Sequence, residues 1–529
     1  MRPVHDIGRR FAEAARERPG AVAVRDGATD LSLTYGQCLA LASQVAEVVA
    51  AHAGAGHCVG LSVRKSPQAI VLMLGCLLAG VPYVPIDPHA PPPRRRRIVA
   101  DAGPRLLFVS ADTAANWPDE GIGALTGLAP AGGGWSREAG EILVGDLLVA
   151  RREAAGSPDI AANELAYVLY TSGSTGVPKG VMISAVNAGY FVDWAAAAFP
   201  LGPGDRVAQH APLHFDLPVY DIYVALTSGA CLHLMDDRTV MFPAAAYRFL
   251  RDRDITALYA VPSALNALTR RSRLLESGLP RLRRLLYAGE EYHVPQLRTL
   301  VSALPERTRV ANLYGPVETN VVTWADVTPE LLAGTRMPIG GPVPGTEVRL
   351  LGDDGVPRTG PAEGELIVSG PSVTPGYLHD PERTAHAMLT LPGGGGDGAA
   401  GRGRVYYRTG DFAEADAAGV LRFRGRRDGM VKTRGFRVEL GEVEAAILAH
   451  PGIAQAVVRP VPHPEHGTVL EAHVVADGSA AAPRDSALRH WLTGQVPAYM
   501  VPVTVAFHEE LPVTSTGKIA RSAVGGAAG

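Results

Sequence analysis

The chain has 529 residues, more than one hydrophobic core normally holds, so roughly two to four domains are expected. Its hydrophobic fraction of 47% and charged fraction of 19% are typical of a globular enzyme. The net charge of -3 leaves no basic surplus, which argues against a nucleic-acid partner.

The N-terminal third contains no convincing targeting or membrane segment. Residues 1–20 lack an apolar core, so no signal peptide is predicted. Residues 69–86 are almost wholly apolar, but Gly80, Pro82 and Pro85 interrupt them, which favours a buried helix and a buried strand over a membrane span. The basic run 94–97 follows three prolines and predicts a solvated helix start.

Apolar strands then alternate with helical patterns to about residue 330, which predicts parallel sheets covered by helices. Residues 341–426 change to short strands and Gly/Pro turns, typical of a small β-rich subdomain, with a Gly/Ala-rich flexible insertion at 393–403. Beyond residue 428 a helix at 439–450 and strands at 454–461 and 471–476 predict a compact α+β unit. The predicted fold class is therefore α/β, with a large N-terminal domain (1–427) of two parallel sheets plus the β-rich subdomain, and a small mobile C-terminal domain (428–529).

The four cysteines are spread without any CxxC spacing. Zinc sites and disulfides are therefore not expected, and a reducing cytoplasm is indicated. These cysteines are Cys38, Cys58, Cys76 and Cys231.

The most informative segment is residues 170–180, Tyr-Thr-Ser-Gly-Ser-Thr-Gly-Val-Pro-Lys-Gly, which follows an apolar strand pattern at 165–170. Glycines let backbone N–H groups approach an anion, hydroxyls add donors and Lys179 adds a point charge, so the segment is interpreted as a phosphate-binding loop. It is not a Walker loop, because Pro178 and Gly180 flank the lysine and neither suits a helix interior. A plain surface linker is the alternative interpretation.

Six segments, in order along residues 30–521, resemble the motifs of the adenylate-forming superfamily, which includes acyl-CoA synthetases, luciferases and the adenylation domains of nonribosomal peptide synthetases. The resemblance implies that ATP and a substrate carboxylate form an acyl-adenylate with release of pyrophosphate, after which a thiol takes the acyl group. It implies ATP and Mg²⁺ as cofactors. The segments are residues 170–180, 312–319, 407–411, 425–428, 432–439 and 514–519.

The resemblance also implies roles for individual residues. Lys518 would bridge the carboxylate and the α-phosphate, Glu318 would hold Mg²⁺, and Lys179 would grip pyrophosphate. Asp428 would be the hinge between domains, and Gly435 would lie in the loop that enters the site for the second half-reaction. Tyr314 would stack on adenine, and Asp411 would bind the ribose. The residues expected to contact the nucleotide are Thr171, Ser172, Gly173, Ser174, Thr175, Gly176, Lys179, Gly289, Glu290, Asn312, Tyr314, Gly315, Asp411 and Arg426.

Asp216 resembles the acid that holds the α-ammonium group in amino-acid-activating members. Nothing else on the implied wall is charged except Lys518, and burying an unpaired polar group costs about 1–3 kcal/mol, so a small apolar amino acid is predicted. The wall resembles that of free-standing proline ligases, which makes L-proline the predicted substrate and leaves alanine, valine or another cyclic imino acid open. Its residues are Asp216, Leu217, Tyr220, Tyr259, Leu286, Ala288, Leu313, Val321, Val322 and Lys518.

The chain shows no carrier domain after the last motif, so a separate phosphopantetheinylated carrier protein is the expected acceptor; no membrane partner is expected. Two other hypotheses remain. A CoA ligase for a small carboxylic acid would have no need of Asp216. A non-catalytic nucleotide-binding or scaffold protein would account for Val317, which stands where the superfamily usually has a threonine.

Overall fold

A computed structural model describes most of the chain, and its first part is built on two mixed sheets covered by helices. The α/β class predicted from the sequence is confirmed. The described residues are 6–29, 31–54, 56–117, 120–128, 130, 134–154, 156–173, 177–392, 403–426, 430–463, 467–477, 483–512 and 524.

The first sheet has a parallel centre, and its antiparallel strands lie at the edges. Its parallel strands end at one edge, and polar residues that follow them, such as Glu290 after Arg284–Tyr287, are therefore brought together there. In spatial order its strands are Gly341–Pro342, Thr323–Asp326, Arg309–Tyr314, Arg284–Tyr287, Ala257–Ala260, Arg206–Gln209, Cys231–Leu234, Val22–Arg25 and Ser32–Thr34.

The second sheet also has parallel central strands. The apolar segment at 69–86 folds as predicted, into the buried helix Pro67–Ala79 and the strand Tyr83–Pro85, because Ser66 caps the helix start and Gly80 ends it in the left-handed region. The strands are, in order, Gly123–Ala124, Leu147–Arg151, Leu106–Ser110, Val59–Ser62, Tyr83–Pro85, Leu165–Thr171 and Lys179–Ser184.

The predicted β-rich subdomain is an antiparallel sheet, and a smaller α+β unit follows it. The subdomain comprises Glu347–Leu351, Pro357–Arg358, Ala362–Ser369, Met388–Leu391, Arg404–Ala415 and Leu421–Arg426. The C-terminal unit contains the hairpin Met430–Thr433 and Phe436–Glu439, and the sheet Ile453–His463, Gly467–Ala476 and Thr504–His508.

Helices lie between many of these strands along the chain. The α-helices are Ile7–Glu17, Tyr35–His52, Pro67–Ala79, Pro92–Ala102, Arg137–Ala139, Pro158–Asn163, Ala185–Ala198, Ala225–Thr227, Asp237–Met241, Pro243–Asp252, Pro262–Arg271, Leu274–Ser277, Val294–Ser302, Pro329–Ala333, Pro381–Ala387, Leu440–Leu448 and Asp485–Thr493. Short 3-10 and π-helical segments are Ala111–Asn116, Leu125–Gly127, Gly140–Val144, Val219–Val224 and Ala498–Met500.

One sequence prediction holds for only half of its residues. The basic run lies near the start of the helix Pro92–Ala102, where Arg96 and Arg97 are exposed but Arg94 and Arg95 are buried, not solvated. Arg94 pairs with Glu442 of the C-terminal unit, and Arg95 donates to the carbonyl oxygens of Pro88 and Asn116, so the charges are satisfied inside the structure.

Other predictions fall outside the described residues. These are most of the Gly/Ala-rich insertion and the boundary at Asp428. All four cysteines are free thiols, as expected. Among the described residues, no helix is long and apolar enough to cross a membrane.

Candidate active site

The phosphate-loop segment connects two strands that run antiparallel. Leu165–Thr171 leads into it and Lys179–Ser184 leaves it, with Thr171 paired to Lys179 in the register. The lysine therefore stands at a strand start and not at a helix start, which agrees with the distinction from a Walker loop. Ser174, Thr175 and Gly176 lie outside the described residues.

Lys179 forms a buried ion pair with Glu318. The two charged groups are 3.2 Å apart, and the side chains are 9% and 0% exposed. The ammonium group also lies 4.7 Å from the centre of the Tyr377 ring, and the Tyr377 hydroxyl donates to Glu318 at 2.9 Å. Burial, together with the charge of Arg437, lowers the pKa of Lys179 to about 8.

Arg437 is the second cation on Glu318. It comes from the hairpin of the C-terminal unit, and its Nη1 atom donates to both carboxylate oxygens, at 2.9 and 2.8 Å. Burial alone would raise the pKa of Glu318, but the charges of Arg437 and Lys179 hold it well below its usual range. Ser172 contacts the same hairpin, because its hydroxyl donates to the Arg437 carbonyl oxygen at 2.8 Å.

Taken by itself, the Glu318 carboxylate is a suitable ligand for magnesium, because Mg²⁺ often binds only one or two carboxylates and completes its coordination shell with water and phosphate. In this arrangement, however, the donors around Glu318 already occupy both of its oxygens. No group of three or more His, Cys, Asp or Glu side chains suited to a metal occurs in the described part of the chain. The arrangement seen here does not fit a bound Mg²⁺.

A second polar cluster contains three residues that were predicted to contact the nucleotide. The Tyr314 hydroxyl donates to Asp411 Oδ2 at 2.5 Å, and Arg426 Nη1 donates to Asp411 Oδ1 at 2.5 Å. Asp411 and Arg426 face each other on neighbouring strands, while Tyr314 ends a strand of the first sheet. All three are buried, so the carboxylate charge is satisfied from two directions.

A cavity that opens to solvent lies between the large sheets and the C-terminal unit. Its apolar wall and its carboxylates are the features that decide what it can hold. The predicted site residues that line it are Thr171, Ser172, Asp216, Leu217, Tyr259, Ala288, Gly289, Gly315, Val321, Asp411, Arg426 and Gly435.

Asp216 is the acidic residue at the apolar end of the cavity. The short π-helical segment Val219–Val224 begins just after it. Burial raises the pKa of Asp216, and the charge of Lys432, on the facing hairpin, opposes the shift. A cationic group in the cavity would stabilise the ionised carboxylate.

Four predicted wall residues are buried and are not among the residues that line the cavity. Tyr220 packs edge-on against the lining residue Tyr259, with ring centres 6.0 Å apart, and donates its hydroxyl to the Phe199 carbonyl oxygen at 3.2 Å. Direct contact of these four residues with a substrate stays a prediction. They are Tyr220, Leu286, Leu313 and Val322.

Two residues that were predicted to contact the nucleotide form hydrogen bonds with other protein groups in this arrangement. Glu290 Oε1 accepts from the Gly435 N–H at 2.6 Å, and Oε2 accepts from the Ser263 N–H at 2.8 Å. Asn312 donates its side-chain amide to the Pro338 carbonyl oxygen at 2.8 Å. Gly173 lies at the end of the described loop, and Lys518 and Asp428 fall outside the described residues.

The sequence interpretation missed several residues at the cavity. Phe436 stacks on Tyr499 with ring centres 3.7 Å apart and meets Phe215 edge-on at 4.7 Å, so three aromatic rings close one side. Arg94 and Arg437 also line it. Phe436 and Arg437 had a sequence signal, since both lie in the segment 432–439, which the motif resemblance had already singled out.

The comparison with known families identifies the class of this protein. The AMP-binding enzyme family matches residues 11–378, and the AMP-binding enzyme C-terminal domain matches residues 442–518. The chain therefore belongs to the AMP-binding enzyme family, and it is an ATP-dependent, AMP-forming ligase by that membership. The resemblance drawn from the motifs is confirmed.

Among curated proteins, it is similar to an L-proline--[L-prolyl-carrier protein] ligase of Streptomyces coelicolor, with 37% identity over 92% of this chain and 90% of the relative. A ligase of the same description from Pseudomonas fluorescens is 36% identical over 91% of each chain. Among solved structures, holo-PA1221, described as an NRPS protein containing adenylation and PCP domains, superposes with a TM-score of 0.78 and 27% identity over 98% of this chain and 83% of that one.

Proposed function

We propose that this protein activates L-proline with ATP as prolyl-AMP and then transfers the prolyl group to the phosphopantetheine thiol of a separate carrier protein. The observation that carries the proposal is the Asp216 carboxylate at an otherwise apolar end of the cavity, beside Leu217, Tyr259, Ala288 and Val321. An acid there pairs with the ring ammonium of proline, and the apolar wall suits the three ring methylenes. The names of the two similar ligases support the same substrate and acceptor.

In the first half-reaction, a proline carboxylate oxygen attacks the α-phosphorus of ATP. The bond from that phosphorus to the β-bridging oxygen breaks, and pyrophosphate leaves. The protein provides no nucleophile, so its contribution is positioning and charge stabilisation. Lys518 would bridge the carboxylate and the α-phosphate, and Lys179 would hold the departing pyrophosphate. Tyr314 and Asp411 would hold adenosine.

In the second half-reaction, the carrier thiol attacks the acyl carbon, AMP leaves with the bonding electrons, and the thiol proton is released. The C-terminal unit, assigned as residues 428–529, would rotate about Asp428 relative to residues 1–427 between the two steps. The hairpin that inserts Gly435 and Arg437 into the site fits the second step. Glu318 would hold Mg²⁺ only in an arrangement without Arg437 beside it, and the bound ion would supply neutralisation of phosphate charge.

The test is ATP–pyrophosphate exchange with a panel of proline, pipecolate, alanine, valine and simple carboxylic acids such as acetate and benzoate. Proline should give the highest kcat/KM. Loading is then measured by intact mass, with holo-carrier protein from the Streptomyces coelicolor system and with coenzyme A as alternative acceptors. Exchange driven by simple acids, with loading of coenzyme A alone, would establish a CoA ligase instead. No exchange with any acid would establish a non-catalytic protein.

A further inference from the structure

His214 lies where two cavities meet. On its aromatic side the site cavity adjoins a second cleft, which opens to solvent at the carboxyl ends of the strands Val59–Ser62 and Tyr83–Pro85. Three of the described residues line both spaces, so the imidazole stands next to the opening between them. These residues are His214, Phe436 and Tyr499.

The second half-reaction needs a proton acceptor. A phosphopantetheine thiol resembles a free cysteine, whose pKa is about 8.5, so only a few per cent of it is thiolate at pH 7. The thiolate is the nucleophile, and a base that accepts the proton as the new bond forms speeds such a step about 10²- to 10⁴-fold. The two half-reactions as described above leave this proton without an acceptor on the protein.

His214 is the group at the junction that can accept the proton. Tyr499 stays protonated as a neutral phenol, because burial raises the pKa of its hydroxyl to about 12, and a phenol that keeps its proton is a poor base. Phe436 has no group that titrates. The imidazole of His214 is therefore the base that both cavities share.

The acids and the lysine of the site cavity are placed for other work. Asp411 is bonded to Tyr314 and Arg426, and Asp216 is assigned to the ammonium group of the substrate. Lys432 lies 5.9 Å from the centre of the Tyr314 ring and does not line the second cleft. None of the three stands at the junction.

The His214 ring is held by packing, which leaves its nitrogens available. It meets the Phe215 ring edge-on, with ring centres 5.2 Å apart. Within the described part of the chain, no hydrogen bond joins either ring nitrogen to another residue. A thiol in the cavity could therefore donate to the imidazole without displacing a protein partner.

The surroundings keep the imidazole neutral at pH 7. Burial lowers the pKa of His214, nearby acids oppose the shift, and nearby bases add to it. A neutral ring can accept a proton, whereas a protonated ring cannot. The acids are Asp87 and Asp237, the bases are Arg94 and Lys65, and Arg64 and His89 complete the charged lining of the cleft.

We propose that His214 is the general base of the second half-reaction and accepts the proton of the carrier thiol. This inference rests on the proposed function, which supplies the thiol acceptor. As the sulfur bonds to the acyl carbon, the S–H proton passes to a ring nitrogen of His214. The bond from that carbon to the adenylate oxygen breaks, and AMP leaves with the electron pair. The imidazolium then releases its proton to solvent.

The first experiment separates the two half-reactions. Prolyl-AMP is formed on the full-length enzyme, holo-carrier protein is added at saturating concentration, and loading is quenched and read by intact mass. His214→Gln should load at least about 30-fold more slowly than wild type at pH 7, while ATP–pyrophosphate exchange stays within about threefold. Equal losses of exchange and loading would overturn the proposal.

The pH profile distinguishes a base from a residue that only supports the structure. Between pH 7 and about pH 9.5 the thiol ionises by itself, so that the base is no longer needed. The deficit of His214→Gln should therefore shrink to about threefold or less at the upper end of this range. A deficit of constant size across the range would contradict the assignment.

Two control variants define what the ring contributes. His214→Phe keeps a flat ring against Phe215 but has no nitrogen, so at pH 7 it should be as slow as His214→Gln. His89→Gln removes an imidazole that lines the cleft but not the site cavity, and its loading rate should stay within about twofold of wild type. Wild-type loading by His214→Phe would refute the base, as would an equally large loss in His89→Gln.

A second measurement varies the acidity of the thiol. N-acetylcysteamine carries the terminal group of phosphopantetheine, and trifluoroethanethiol is more acidic. The deficit of His214→Gln should be at least about fivefold smaller with the more acidic thiol, because more of it is thiolate without a base. Equal deficits with both thiols would count against a proton-transfer role. Failure of the proposed function looks different: wild type itself would then show no proline-dependent exchange or no carrier loading.

Discussion

Replacing Asp216 with asparagine tests the amino-acid assignment most directly. The change keeps the size and shape of the side chain and removes its charge. In the structure the backbone N–H groups of Asp216 and Leu217 and the charge of Lys432, on the facing hairpin, favour the ionised form of the carboxylate. A bound proline would place its ammonium group against this buried carboxylate. The variant therefore removes one member of a buried charge pair without opening a void.

The expected loss follows from the environment. Removing one partner of a buried, hydrogen-bonded charge pair costs about 2–5 kcal/mol. The asparagine carbonyl still accepts a hydrogen bond, so we expect about 2–3 kcal/mol, which corresponds to a fall of about 30- to 160-fold in kcat/KM for proline. Because burial raises the Asp216 pKa, wild-type kcat/KM should also fall as the pH drops through that pKa and the carboxylate becomes neutral. The variant should lack this acid limb.

The assay is ATP–pyrophosphate exchange with two substrates of matched shape. Tetrahydrofuran-2-carboxylate has a ring oxygen where proline has its charged nitrogen, so its kcat/KM should change by less than about threefold in Asp216→Asn. Asp237→Asn, at an exposed acid outside this cavity, is the control and should leave both substrates unaffected. Equal losses for both substrates would refute the charge pairing, and so would an unchanged kcat/KM for proline.

Two further predictions test the two half-reactions. Lys518→Ala should reduce exchange by at least about 100-fold with little effect on binding of an ATP analogue measured by calorimetry. Exchange within a few-fold of wild type would remove its assigned role. Gly435→Leu should spare exchange and block carrier loading measured by intact mass, because Gly435 has φ of +82° and an added Cβ would lie 2.5 Å from Val261 Cγ1. Equal loss of both steps would contradict this.

The sequence was most informative where chemistry depends on a short run of residues. The strand that leads into the phosphate-loop segment and the helix-strand pair at 67–85 are local structures, so residue type and spacing sufficed to predict them. The basic run at 94–97 shows the limit. Nothing near it in the chain indicates that Arg94 would be buried, because its partner Glu442 lies 348 residues away.

The same limit applies to the pocket. The sequence placed Tyr220, Leu286, Leu313 and Val322 on one wall with Leu217 and Tyr259; in the structure these four are buried and are not among the residues that line the cavity. Depth from a cavity depends on how strands and helices stack, and alternation along a strand does not encode it.

The sequence by itself determined the family, the order of the motifs and the kind of chemistry, because these depend on residue identity along short segments. Only the tertiary structure decided which charges meet. Lys179, Glu318 and Arg437 come from three distant parts of the chain and converge on one buried carboxylate. The reason is physical: pairing in a dry interior depends on distance and burial in space, and the packing of the C-terminal hairpin against the large sheets sets both.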